Sequence, residues 1–85
     1  MKQENKIAKI AVVKFQFLYM IRPNLHVKER FFESLADNIE NLKLSDRLEI
    51  EFLALAIKAF GSKLKQRQEL ASLALDALDA LFPDS

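Results

Sequence analysis

Between Leu48 and Phe82 the sequence writes two helices whose apolar residues cover more than half of each circumference. A helix that is apolar nearly all round must be enclosed on several sides. The condition is demanding for a chain of 85 residues, because a domain of this size buries only about 60–65% of the surface its unfolded chain exposes. Disulfides, a structural metal or association with another chain are the usual supplements. No cysteine is present, which removes disulfides and thiolate metal sites, and His26 is the sole histidine. Association is what remains. The sequence therefore predicts a homodimer or a bound partner protein, with no cofactor and no metal.

Hydrophobic residues make up 51% of the chain, with one glycine and two prolines, which argues against disorder and against a turn-rich β architecture. The abundant Leu, Ala, Glu and Lys are strong helix formers. Four helices are predicted, over about 6–21, 25–42, 46–60 and 63–82. They form a single all-α domain spanning 1–85, an antiparallel four-helix bundle, because short connections favour antiparallel neighbours.

The first helix is the hardest to read. Val12, Val13, Phe15, Phe17 and Tyr19 suit a strand as well as a helix, but a lone strand would have no pairing partner. At about 100° per residue, Lys2, Lys6, Lys9 and Gln16 fall on one side. Ile7, Ile10, Ala11, Phe15, Leu18 and Ile21 fall opposite, the side expected to face inward. Arg22-Pro23-Asn24 ends this helix, since the residue before proline avoids the α region, and Asn24 is placed to cap the next. In the second helix Phe31, Phe32, Leu35, Ile39 and Leu42 are expected inside, and Glu29, Glu33, Asp37 and Glu40 outside.

Ser45 is the predicted N-cap of the third helix, with Asp46 and Glu49 in its first turn. Lys58 and Gly61 supply the stop signals. The polar stripe of this helix is narrow (Arg47, Glu51, Lys58), which marks it as the central helix. The fourth helix stops at Pro83. A single bent rod joining helices three and four through Gly61 is the alternative, since an interior glycine costs only about 1 kcal/mol.

Charge comes in blocks. Residues 1–30 carry a net +5, residues 31–57 a net −4, residues 58–68 a net +4 and residues 69–85 a net −4. Folded into an up-down bundle, these blocks bring Arg22, Lys28, Arg30, Lys58, Lys63, Lys65 and Arg67 to one end. Glu40, Asp46, Glu49, Asp76 and Asp79 gather at the other. The fourth helix thus starts basic and finishes acidic, against its own dipole, at a few tenths of a kcal/mol per charge. Meeting its own copy antiparallel across a two-fold would relieve that conflict, with Lys63, Lys65 and Arg67 facing the mate's Asp76 and Asp79. The expected dimer contact is Leu70, Leu73, Leu75, Asp76, Ala77, Leu78, Asp79 and Leu81.

Catalysis finds little support. No cysteine nucleophile exists, and His26 has no identifiable orienting group. Glu33, Asp37 and Glu40 share a face opposite the apolar stripe, and the Glu-x-x-His pairs of a di-metal bundle are lacking. Gly61-Ser62-Lys63 lacks the upstream glycine of a phosphate-binding loop. Lys14 and Gln16 interrupt the apolar run Ile10–Ile21, so neither a signal peptide nor a membrane span is expected, and the location is taken as cytoplasmic.

The sequence reads best as a non-enzymatic helical module that binds a partner protein stoichiometrically, in the manner of an inhibitor, an immunity or antitoxin protein, or a chaperone. The seven basic residues at one end would steer a partner with an acidic face. The alternative is a small nucleic-acid-binding protein using that same basic end. Membrane-surface binding through the first helix is a weaker third reading.

Overall fold

The computed structural model describes residues 2–23 and 27–83, with side chains from residue 6 onward. Four helices follow in order: α1 (Lys2–Tyr19), α2 (Glu29–Glu40), α3 (Asp46–Phe60) and α4 (Leu64–Leu81). Among the described residues there is no strand, and no helix is long and apolar enough to cross a membrane. α1 packs on α2, α2 on α3, α3 on α4 and α4 back on α1, which closes a ring of four.

Cross-helix contacts fix the directions. Tyr19 stacks on Phe31 with ring centroids 5.0 Å apart, and Gln16 reaches Ser34 and Asn38 further along α2. Phe32 stacks on Phe60 at 5.3 Å, joining the start of α2 to the end of α3. Gln68 meets Ile21, and Lys14 meets Asp79. Each neighbouring pair is therefore antiparallel, as expected. The bent-rod alternative fails, because α3 and α4 fold back on each other through Gly61 and Ser62.

The element boundaries differ from expectation mainly at α2. It starts at Glu29 behind Lys28, which supplies no side-chain cap. The proposed cap Asn24, and His26 with it, lie outside the described residues. Ser45 does cap α3, its Oγ accepting from the Leu48 amide at 3.4 Å. Gly61 follows α3 as expected, but at φ −86° it makes no use of the left-handed region open to glycine. That region is occupied instead by Lys43, at φ 56° in the turn after α2.

The core gathers Val13, Phe17 and Met20 of α1, Leu35 and Ile39 of α2, Phe52 and Ala56 of α3, and Ala71, Ala74 and Leu78 of α4. Alanines dominate the inward rows of α3 and α4, which lets these two helices approach closely while the bulky residues come from α1 and α2. No helix is central. α3, read as the innermost helix, leaves Ile50 and Ile57 exposed in the ring of four.

A candidate interaction face on the first helix

The largest departure from expectation is the rotation of α1. Its buried row is Ile10, Val13, Phe17 and Met20, spaced three or four residues apart. Ile7, Ala11, Phe15 and Leu18, assigned to the core from the sequence, face outward, and Phe15 is 70% exposed. Apolar residues occupy both sides of this helix, so apolar periodicity does not decide which side turns in. Polar contacts do.

Lys14 and Gln16 lie on opposite flanks of the buried row, since two residues advance a helix by about 200°. Lys14 Nζ sits 2.9 Å from Asp79 Oδ1 and donates to the Phe82 carbonyl, also at 2.9 Å, on the α4 side. On the α2 side, Gln16 accepts from Asn38 at 2.9 Å and donates to Ser34 at 3.1 Å. Both residues would forfeit these partners if α1 turned its other face to the core. The two polar interruptions of the apolar run thus serve as rotational stops.

The outward face of α1 is apolar from Ile7 to Leu18. Ile7, Ala11, Phe15 and Leu18 form a stripe at helical spacing, widened by Val12. Phe15 stands as a ridge between two shallow grooves. The first, about 370 Å³, runs between α1 and α2 over Ala11, Val12, Tyr19 and Phe31. The second, about 480 Å³, runs between α1 and α4 over Leu18, Ser72, Leu75 and Asp76. Contiguous exposed apolar surface of this kind marks interaction sites in soluble proteins.

The antiparallel arrangement puts the end of α1, the start of α2, the end of α3 and the start of α4 on one side. Arg22, Lys28, Arg30, Lys58, Lys63 and Lys65 are all exposed there. Arg67 is the exception. It is only 8% exposed, with Nε donating to the Met20 carbonyl at 2.7 Å and Nη2 to the Arg22 carbonyl at 2.8 Å. Gln68 Nε2 takes the intervening Ile21 carbonyl at 2.6 Å. The start of α4 therefore ties down the turn that follows α1, pairing three carbonyls that lie beyond the helix's own hydrogen bonds. Arg67 is withdrawn from partner binding by this role, although nothing in its sequence neighbourhood separates it from Lys63 and Lys65.

The expected dimer contact on α4 is divided. Leu78 is fully buried in its own core, and Leu70, Leu75 and Ala77 pack half-buried against it. Leu73, Leu81, Asp76 and Asp79 remain exposed. The inward row of Arg67, Ala71, Ala74 and Leu78 absorbs much of the apolar surplus read from the sequence. Phe15 and its neighbours on α1, not singled out for binding from the sequence, carry the surplus that stays outside. Among the described residues no group of His, Asp or Glu side chains is placed to hold a metal. No protein-family model matches the chain, and comparisons with curated proteins and with solved structures give no significant match.

Proposed function

We propose that this protein is a non-enzymatic helical interaction module that acts by stoichiometric binding to a partner protein. The observation carrying this reading is Phe15, held by the Lys14 and Gln16 contacts directly opposite the buried row of α1. Aromatic residues, phenylalanine among them, are enriched in protein interfaces relative to the rest of the surface. Inhibitor, immunity or antitoxin, and chaperone roles all share this mechanism, as does homodimerisation. A cytoplasmic setting suits each of them.

A photo-cross-linking side chain at Phe15, introduced in the native cell, tests the proposal against the same probe at Glu33 on the polar face of α2. A discrete protein adduct from position 15 and none from position 33 is expected. Equal labelling from both positions, or none from either, would overturn it.

The six exposed basic residues at one end favour a second reading, binding of nucleic acid. A titration with a DNA or RNA duplex at two salt concentrations decides it. Affinity that falls steeply with salt supports this reading, and no binding at low salt removes it.

A further inference from the structure

Charge separates the two grooves that flank Phe15. The groove between α1 and α2 has no charged side chain in its lining. The groove between α1 and α4 has an apolar wall, Ala11, Phe15 and Leu18, and an acidic one, Asp76 and Asp79. Its single base, Lys14, is already engaged by Asp79 and the Phe82 carbonyl. Asp76 is exposed and forms no ion pair among the described residues. The same is true of Glu69, seven residues earlier, which shares with Asp76 the hollow over the outer face of α4. Lys65 closes this acidic line at the start of α4, and Lys6, over the Phe82 ring, closes it beyond Asp79.

The shape suits a helix. A groove between two antiparallel helices accepts a third whose side chains interlock with both walls. An extended peptide would need a sheet edge to pair its backbone, and no strand exists among the described residues. The apolar stripe from Ile7 to Leu18 is about 16 Å long at the helical rise, or about three turns. We infer that the α1–α4 groove takes a basic amphipathic helix of a partner protein, with apolar residues against Phe15 and Leu18 and a lysine or arginine against Asp76. This inference rests on the interaction reading above and names the chemistry of the partner.

The sign of the partner follows from what Asp76 lacks. Asp79 has Lys14 as its counter-charge, whereas Asp76, one turn earlier on the acidic half of α4, has none. A partner acid placed there would meet like charge, which costs affinity, and a base would be attracted. Glu69 and Asp76 stand about two turns apart, so bases at the same spacing on one partner helix reach both. A second copy of this chain is a poor complement. Reversal about Ser72 brings Glu69 to the mate's Asp76, and reversal about Leu18 brings Lys14 to the mate's Arg22.

Fluorescence anisotropy of the full chain with labelled synthetic peptides tests this. The probe is a peptide of about 15 residues, long enough to form the helix, with leucines at i, i+3, i+4 and i+7 and lysines flanking them. The control carries glutamate in place of each lysine. The lysine peptide is expected to bind with a micromolar dissociation constant, and the glutamate peptide at least about tenfold more weakly. Phe15→Ala should weaken the lysine peptide about tenfold or more through lost apolar burial. Asp76→Lys should weaken the lysine peptide and strengthen the glutamate one, an exchange of preference that loss of fold cannot produce. Both substituted positions are exposed. No binding of the lysine peptide at about 100 µM, where any micromolar complex is saturated, would overturn the inference. So would equal binding of the two peptides, or a preference unchanged in Asp76→Lys. Sedimentation of the chain with vesicles of equimolar phosphatidylcholine and phosphatidylserine, abolished by Phe15→Ala, would assign the face to a membrane and overturn it too. The cross-link from position 15 separates this inference from the reading beneath it. An adduct whose linked segment is a basic amphipathic helix supports both. An adduct to a neutral or acidic segment, or to a second copy, overturns the basic helix and leaves the interaction reading in place, and no adduct overturns both.

Discussion

Lys14 and Gln16 bracket the buried row of α1 from opposite sides, one tied to Asp79 of α4 and the Phe82 carbonyl just past it, the other to Asn38 and Ser34 of α2. Between them they settle a choice that the apolar residues leave open. Between Ile7 and Tyr19 the helix has apolar side chains on both its buried and its exposed side, and these two polar side chains each bond to a particular neighbour.

Replacing both with leucine should therefore loosen the helix's orientation without abolishing the helix. Far-ultraviolet circular dichroism is expected to stay near the wild-type value, while amide signals of α1 in a proton–nitrogen correlation spectrum broaden or double. A single sharp set of peaks for the double variant would show that packing alone orients α1.

Phe15 and Phe17, two residues apart, should respond in opposite ways to truncation. Phe17 is fully buried, and Phe17→Ala is expected to cost about 3–5 kcal/mol in urea denaturation. Phe15 is mostly exposed, and Phe15→Ala should change the stability of the monomer by less than about 0.5 kcal/mol. Equal losses would place both rings in the core and reject the observed rotation.

Arg67 is expected to behave as a structural residue despite its charge. Arg67→Met keeps much of the apolar stem but removes the donors to Met20 and Arg22, and should lower stability by about 2–3 kcal/mol. Lys65→Met, two residues away on the exposed side, should fall within about 0.5 kcal/mol of wild type. Thermal melts of the two variants at one protein concentration make the comparison.

The two turn positions should reverse their apparent rules. Lys43 holds a left-handed backbone, so Lys43→Gly is expected to raise stability by about 1 kcal/mol. Gly61 has an ordinary φ, and an added Cβ would meet nothing nearer than the Ile57 carbonyl at 3.6 Å. Gly61→Ala should accordingly be neutral or stabilising by about 0.4–1 kcal/mol. Denaturant midpoints measure both.

Much of the architecture was legible because it is local. The Ser45 cap and the acids behind it mark the start of α3, and Pro83 closes α4. Phe31, Phe32, Leu35 and Ile39 turn inward on α2, as does Leu42 just past it, where polar and apolar residues separate cleanly. The reading failed where one residue type carried two meanings. Phe15 and Phe17 are chemically identical, and their fates depend on Asp79 and Asn38, which lie far along the chain. Arg67 looked like its basic neighbours because the carbonyls it bonds sit 45 and 47 residues away. The exposed apolar face of α1 was missed on the same grounds: such a stripe becomes recognisable only once the buried one is known.

The ring closes through contacts of very different range. α1 with α2, and α3 with α4, are hairpins whose partners lie close in sequence, but α1 meets α4 through pairs separated by 45 to 68 residues. Loop-closure entropy makes the distant pair the slow one. The bundle should thus assemble as two quickly formed hairpins that dock last along the α1–α4 seam, and Arg67, Gln68 and Lys14 are the residues waiting on that docking. Substitutions at these three positions are expected to speed unfolding more than they slow folding. The seam that fixes the orientation of α1 is then also the last part of the molecule to know its final shape.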